Sequence, residues 1–493
     1  MNKSKSLFLF LLFAYTISLY SAKATIDYNA DIRQCYELLT RLQIDEASKK
    51  ITQLKKSQPT NLAIIHLEDY VDFFVLFITE NDAEYAKRIN NKERRLQKLE
   101  ANKVADPYYN FIKAEILLHW ALVHTKFDKK IKAGNEIYEA YKLLESNKKQ
   151  YPNFIENNKS LSVIHILAES VPKWVRKLIG VQGSSTLGKS EIKLISDYSL
   201  KNKNHFFREE VAAIYSYILY YQLNKKKEAI SLFDQYDLDI TDSPLLTFLK
   251  ASIYLRNGEN ENCLLTLNNL KTSSGSYPFY YLDFMKGRSL LFKQDPTANK
   301  YLQSFINNFK GKHFIKEAYQ KLAWYELTIN NNVTAYKENL SYCKNKGYQL
   351  VDEDKQAVRE AKSNKIQDQS LLKARVLFDG GYYSKVYDLL LKNEQSLSKN
   401  ITHKIEFNYR MGRVLQSLKK FEEAIPYLKL AVKNSDTSNY FGANSALQLG
   451  YIYEELNDKT SAKLYYQKCL DTDPSEYKNS IHQKAKSGLI RVK

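Results

Sequence analysis

Residues 450–474 read GYIYEELNDKTSAKLYYQKCLDTDP, and the spacing of their small and aromatic residues decides the fold. Gly450, Tyr453, Ala462, Tyr466, Cys469 and Pro474 alternate small and bulky side chains along two stretches of helical period, closed by a proline. Two antiparallel helices pack closely only where a small residue on one admits a bulky residue of the other. The preceding stretch repeats the arrangement with Met411-Gly412, Leu415, Phe421, Ala424, Leu428 and Ala431, and with Asp436 where the proline stands. A hairpin of this kind cannot bury its apolar face alone, so copies must stack.

The offsets resemble those of the tetratricopeptide repeat, and weaker copies run back along the chain. Ala374, Phe378, Gly381, Tyr383, Val386 and Leu390 mark another pair; Ala323 with Ala335, Gly287 with Leu290, Ala251 with Gly258 and Cys263, and Tyr220 with Ala229 and Phe233 mark others. The equivalent positions Tyr217, Ala251, Gly287, Ala323, Ala374, Gly412 and Gly450 are 34, 36, 36, 51, 38 and 38 residues apart. Tyr217 breaks the small-residue rule. The long interval holds VDEDKQAVREAKSNK (Val351 to Lys365), read as an extra helix or a hinge. The expected fold is all-α: a right-handed α-solenoid of tetratricopeptide-like helix pairs with a divergent helical N-terminal half. Its expected parts are a signal peptide at 1–24, a divergent region at 25–205, degenerate repeats at 206–349, the helix or hinge at 350–366 and C-terminal repeats at 367–493.

The N-terminus carries Lys3 and Lys5, an apolar run from Leu7 to Leu19 and the small-x-small sequence Ala22-Lys23-Ala24, which reads as a secretory signal cleaved after Ala24. The run is shorter than the ~20 residues a membrane span needs. No cysteine precedes Cys35, so lipid attachment near the cleavage point is not expected. The other dense apolar run, YVDFFVLFIT (Tyr70 to Thr79), contains Asp72 and reads as a buried core helix. The expected location is therefore outside the cytoplasm, periplasmic or extracellular, with no membrane span after cleavage.

The net charge of +19 falls to +16 once Lys3, Lys5 and Lys23 are removed, and attracts anionic surfaces at long range. Its basic clusters are short and scattered, as in KERRLQK at 92–98, so they read as solvated helix faces, and no nucleic acid is expected as a partner. The four cysteines, Cys35, Cys263, Cys343 and Cys469, lie far apart with no metal-ligand spacing. Cys263 and Cys469 stand where the repeat wants a small core residue.

In the N-terminal half, CYELLTRLQIDEASKKITQLKKSQP reads as a helix pair, with Ala47 and Pro59 in repeat-like places. Further on, AEILLHW, then IKAGNEIYEAYKLLE, then VPKWVRKLIGVQG and Gly188 together resemble the central region of the eukaryotic inclusion-body-clearance family of tetratricopeptide proteins. The resemblance covers residues 105–195. Val181 stands where that family has phenylalanine. It implies a repeat scaffold with lipid-related biology in the relatives, and no catalytic residues.

Gly183 to Ser190 (GSSTLGKS) formally matches the G-x-x-x-x-G-K-[ST] phosphate loop. The charges of the preceding VPKWVRKLI fall at helical spacing rather than forming a buried strand, so a nucleotide-binding enzyme stands only as a remote alternative. His119 and His124 are five apart and diverge on a helix; no paired histidine or cysteine ligand set exists, and His66 and His165 read as core residues. No catalytic residue, metal or cofactor is expected.

The expected activity is that of an exported, non-catalytic scaffold holding a protein or peptide in its concave groove. The alternative is a module that sits on an anionic envelope surface of glycan or lipid. The repeat resemblance implies that the groove is lined by Phe284, Arg288, Arg375, Phe378, Tyr409, Arg413, Leu447, Tyr451 and Glu454. Arg375, Phe378, Tyr409, Arg413 and Tyr451 are expected to form one strip. The lysine-asparagine clamp of cytosolic relatives is absent.

Overall fold

The computed structural model describes residues 23–168, 184–271 and 275–493. Among these, the only β-pairing is an isolated bridge between Thr25 and Asn61; the rest of the ordered backbone is helical. The chain parts into two compact units, one holding the described residues to 238 with 275–277, the other 239–271 and 278–493. The helix pair after residue 205 therefore belongs to the N-terminal unit. The signal segment to residue 22, and VPKWVRKLIGVQG with Gly183, lie outside the described residues.

The N-terminal unit comprises α1 Ala30–Thr40, α2 Ile44–Ser57, α3 Ala63–Thr79, α4 Asp82–Arg88, α5 Asn91–Ala101, α6 Pro107–Lys126, α7 Lys130–Gln150, α8 Asn157–Ala168, α9 Ser185–Lys201, α10 Arg208–Tyr217 and α11 Lys226–Gln235. Helix α3 carries YVDFFVLFIT and is buried nearly all round, as its composition requires. Asp72 within it is matched by Arg88 at 2.6 Å, Arg95 at 2.7 Å and Asn91 at 2.7 Å. No described helix is long and apolar enough to cross a membrane.

The C-terminal unit comprises the pairs α12 Pro244–Arg256 and α13 Asn260–Asn268, α14 Tyr281–Lys293 and α15 Ala298–Asn308, α16 Ile315–Thr328 and α17 Val333–Asn345, then α18 Asp352–Lys362. It continues with α19 Gln369–Asp379 and α20 Tyr383–Leu397, α21 Ile401–Ser417 and α22 Phe421–Asn434, α23 Tyr440–Glu455 and α24 Lys459–Leu470, and ends in α25 Lys478–Arg491. The small-residue rule is visible as distance. A β-carbon on Gly450 would lie 2.4 Å from the Tyr466 ring, one on Gly412 2.5 Å from Leu428, and one on Gly287 2.8 Å from Leu302. Tyr466 is held from its other side by Gly488 of α25, at 2.4 Å by the same measure.

Tyr217 is 44% exposed, so it does not hold a helix-pair contact; the neighbouring Ser216 does, donating its hydroxyl to Ala229 O at 3.0 Å. The repeat register there is one residue earlier than the sequence spacing suggests, because α10 runs on into a π-turn at Ile218–Gln222.

One turn recurs in both units. A residue with positive φ follows the first helix, and the next N–H reaches back five residues: Gln43 to Leu38, Lys129 to His124, Glu259 to Tyr254, Tyr382 to Leu377, Lys420 to Leu415 and Asp458 to Tyr453. The left-handed residues are Leu42, Asp128, Gly258, Gly381, Lys419 and Asn457. At Gly381 glycine is obligatory, since a β-carbon would stand 1.8 Å from Gly258 O.

Within the stretch 351–365, residues Asp352–Lys362 form helix α18. Its Asp354 carboxylate accepts the N–H groups of Phe314 (2.8 Å) and Glu317 (3.0 Å), capping α16 from outside that helix, while Ala357, Val358 and Ala361 are buried. All four cysteines are free and buried; burial pushes the thiols up, to about 12 for Cys35, Cys343 and Cys469 and about 11 for Cys263.

Candidate partner-binding site

Helices α18, α19, α21 and α23 and the segment before α25 enclose a cavity of about 520 Å³ within the C-terminal unit. Its wall includes Arg375 and Phe378 from α19, Tyr409 and Arg413 from α21, Tyr440 from α23, and Tyr477. The pairs 375/378 and 409/413 are three and four residues apart, so each shares a helix face, and adjacent first helices bring the two faces together.

The cations are held by rings. Arg413 lies 5.1 Å from the Phe378 ring centroid and 5.8 Å from that of Tyr409, and donates to the Tyr409 hydroxyl at 3.0 Å. Its Nε is buried and makes no hydrogen bond. Arg375 stands 4.5 Å over the Trp324 ring. Burial opposes its charge, and the field of Glu360 and Asp379 holds it on. Among the described residues no carboxylate approaches either guanidinium within 4.0 Å, although the wall also contains acids. Glu360 is occupied by Trp324 Nε1 at 2.7 Å, Gln367 at 2.5 Å and Gln320 at 2.5 Å; Glu406 is occupied by Arg410 of its own helix.

The remaining residues read from sequence fall elsewhere. Phe284 is 3% exposed and stacks on Phe305 at 4.9 Å, and Leu447 is 2% exposed, so both are core side chains and present no binding surface. Arg288 continues the cationic strip: it lies 5.4 Å over Phe284 and 3.8 Å from Glu317, which also meets Lys321 at 3.4 Å. Lys321 in turn lies 3.7 Å over Trp324. Burial lowers the Lys321 pKa, and Arg288 and Arg375 add to the effect.

Tyr451 and Glu454 face the terminal helix rather than the cavity. Glu454 accepts from Arg491 at 2.6 and 2.9 Å and from Tyr466 at 2.5 Å, and Arg491 lies 6.0 Å over Tyr451. The expected strip therefore ends at Tyr409 and Arg413; α25, which packs on the last pair, takes up the face beyond. Tyr409 is itself only 6% exposed and accepts from Asn444 at 2.9 Å, so its truncation disturbs packing as well as surface.

Trp324, Tyr440 and Tyr477 are among the wall and strip residues that escaped the sequence reading. Trp324 directly follows Ala323, as Arg288, Arg375 and Arg413 follow their small residues, and that offset could have found it. Tyr440 and Tyr477 sit at a helix start and in a loop, where the repeat pattern carries no information.

The formal phosphate loop takes another form. Helix α9 starts at Ser185, with Ser184 capping Leu187 N at 3.1 Å, so residues 185–190 of the motif are helical, while Gly183 lies outside the described residues. Gly188 is there for packing, its β-carbon position lying 2.6 Å from Ile166 and 2.7 Å from Ser162 O. Among the described residues no three His, Cys, Asp or Glu side chains are placed to hold a metal.

No curated protein matches the chain. The tetratricopeptide repeat family model matches residues 405–437 and 443–476, which are α21 with α22 and α23 with α24, and so supports a tetratricopeptide-repeat protein with protein partners.

Proposed function

We propose that the chain is an exported, non-catalytic scaffold that captures a segment of a partner protein at the cavity face of its C-terminal repeats. The observation that carries this reading is the cavity itself, whose aromatic and guanidinium wall joins Tyr409, Arg413 and Tyr440 of the matched repeats to Arg375 and Phe378 of the helix pair before them. The signal-like N-terminus supports export, and the likeness of residues 105–195 to the inclusion-body-clearance proteins suggests a setting near lipid.

The test is site-specific photocrosslinking in the native host. A crosslinker at Phe378 is expected to trap one protein partner, whereas the same group at Leu464, on the exposed side of α24, is expected to trap none. Trapping from Leu464 alone overturns the assignment of the face.

A further inference from the structure

We propose that the corner between α6 and α7 docks the N-terminal unit on an anionic lipid surface, with Ile131 entering the acyl boundary and Lys129, Lys130 and Lys132 lying among the headgroups. The proposal goes beyond the scaffold reading and does not depend on it.

Ile131 is 83% exposed, more than any other large apolar side chain among the described residues. A lone apolar side chain at a surface is ordinary, and its surroundings are what single this one out. It sits inside the basic stretch KKIK at 129–132, in the first turn of α7, where no acid and no side-chain cap offsets the lysines. A helix N-terminus is opposed by cations, so these lysines do not serve the helix. Lys130 pairs with the exposed Asp128 at 3.1 Å, and neither Lys129 nor Lys132 has an ion pair among the described residues.

The corner is fixed by an aromatic anchor. Phe127 is buried and stacks on Tyr85 at 4.4 Å, while Lys129 lies 4.1 Å over the same ring and donates to its hydroxyl at 2.9 Å. Ile131 is therefore presented on an ordered turn, and little conformational freedom is lost when it inserts. Further along the solvent face of α7 stand Tyr138 and Lys142, the lysine 4.5 Å over the ring. Beside that face, α5, α6 and α7 border a cavity of about 470 Å³ whose wall includes Leu96, Leu117, Leu143 and Lys142. Of its acids, Glu100 is taken by Lys113 and Tyr109, and Glu139 is exposed.

A soluble polyanion would use the lysines and leave Ile131 in water, and a folded protein partner would meet a wider apolar patch than one side chain ringed by cations. A bilayer interface takes both together. Anionic headgroups attract lysines close to the surface, and the acyl boundary beneath them accepts an apolar tip. Such a contact is peripheral, reversible and weakened by salt.

The chain from Lys23 onward, which omits the apolar run at 7–19, is sedimented with vesicles of phosphatidylcholine alone and of phosphatidylcholine with about a third phosphatidylglycerol. The variants are Ile131→Ser and Lys130→Gln with Lys132→Gln, each first shown to melt as wild type. A matched control on α25 combines Ile490→Ser with Lys484→Gln and Lys486→Gln, since Ile490 is also well exposed. A polarity-sensitive dye on Ile131→Cys reports insertion, the four native cysteines being buried, and inorganic polyphosphate serves as an anion without lipid.

The expected result is salt-sensitive binding to the anionic vesicles, weakened about tenfold by the double lysine change and about threefold by Ile131→Ser, with the control as wild type and the dye shifted to the blue by those vesicles alone. Equal binding to neutral vesicles, no vesicle binding, or binding that both corner variants keep within about twofold overturns the proposal. A dye that shifts no more on anionic vesicles than on polyphosphate overturns it in favour of a soluble polyanion. The photocrosslinking test of the C-terminal cavity is read separately and is untouched by any of these outcomes.

Discussion

Lys159 in the N-terminal unit and Arg375 in the C-terminal unit are both cations drawn out of water, and the two units treat them oppositely. Lys159 is 1% exposed and reaches Glu115 at 2.5 Å and Glu210 at 2.6 Å. Glu210 accepts further from Tyr36 and Tyr70, both at 2.8 Å, and Glu115 from Ser160. Around this centre, His119 meets Asp69 at 2.8 Å, His124 meets Glu136 at 2.7 Å and His165 meets Glu191 at 2.6 Å. Arg375, by contrast, has a ring beneath it and no acid within 4.0 Å among the described residues, its charge held on by the more distant Glu360 and Asp379. A satisfied buried network specifies one packing of its own unit, whereas a cation without a hydrogen-bonded acid leaves its donors open at the cavity wall.

The sharpest way to break this comparison is to remove each cation. Lys159→Met strands Glu115 and Glu210 without a counter-charge, and the loss of one partner of a buried ion pair costs about 3–5 kcal/mol. The N-terminal unit is expected to lose that much in denaturant unfolding. Arg375→Gln strands nothing and forfeits only its stacking on Trp324, about 1 kcal/mol. Equal losses for the two would show that Arg375 is a structural cation after all.

Next in size is Gly450→Leu. Tyr466 is fixed between Gly450 and Gly488, so the added side chain has nowhere to displace it, and overpacking of about 1–3 kcal/mol is expected in the last repeats. A melting transition unchanged in this variant would mean the two glycines do not clamp the ring.

Acid should separate the units more gently. Burial, reinforced by His119 and Lys159, holds the His66 pKa well below its ordinary value, and its Nε2 has no acceptor. Below about pH 6.5 the unfolded chain takes up a proton there that the folded one refuses, so His66 makes the N-terminal unit less stable as pH falls, by up to ~1.4 kcal/mol per pH unit. Asp69, raised by burial, works the other way, so the His66 contribution is the difference between wild type and His66→Gln.

In the C-terminal unit burial lifts Asp354 to about 6, and the stability it adds is fully present below about pH 4 and lost as pH rises through 6. Hydrogen exchange at pH 7 and 5 is expected to show the N-terminal unit losing protection in a His66-dependent way while the C-terminal unit does not.

Legibility in the sequence followed the range of the contacts. Gly412, Gly450 and their bulky partners lie within one repeat, so a local spacing exposes them, and with them the helix pairs and the offset that gives Arg375 and Arg413. The turns between helices were hidden because residues as unlike as Leu42, Asp128, Lys419 and Asn457 all take the left-handed conformation. The network around Lys159 was unreadable for a different reason. Tyr36 and Glu210 are 174 residues apart, and no period links them. Phe284 and Leu447 were misplaced because a repeat offset fixes a face but not how deeply the neighbouring helices cover it.

The smallest expected effect comes from the residue that looked most chemical. Lys189 is exposed on the second turn of α9 and approaches no acid among the described residues, so Lys189→Ala is expected to change stability by less than about 0.5 kcal/mol. Its neighbour behaves otherwise. Gly188→Ala places a methyl group within 2.7 Å of Ser162 O, a backbone atom that moves only with α8, and about 1–3 kcal/mol of destabilisation is expected. In a phosphate loop the order is reversed for function, because the lysine neutralises the phosphate and its loss abolishes binding. Paired melts of the two variants, with calorimetry against ATP and magnesium, therefore test whether 183–190 serves packing or nucleotide. Destabilisation by Gly188→Ala, a silent Lys189→Ala and no heat from ATP belong to packing. Micromolar ATP binding abolished by Lys189→Ala belongs to nucleotide, and would give the N-terminal unit an open site of its own and end its contrast with the C-terminal one.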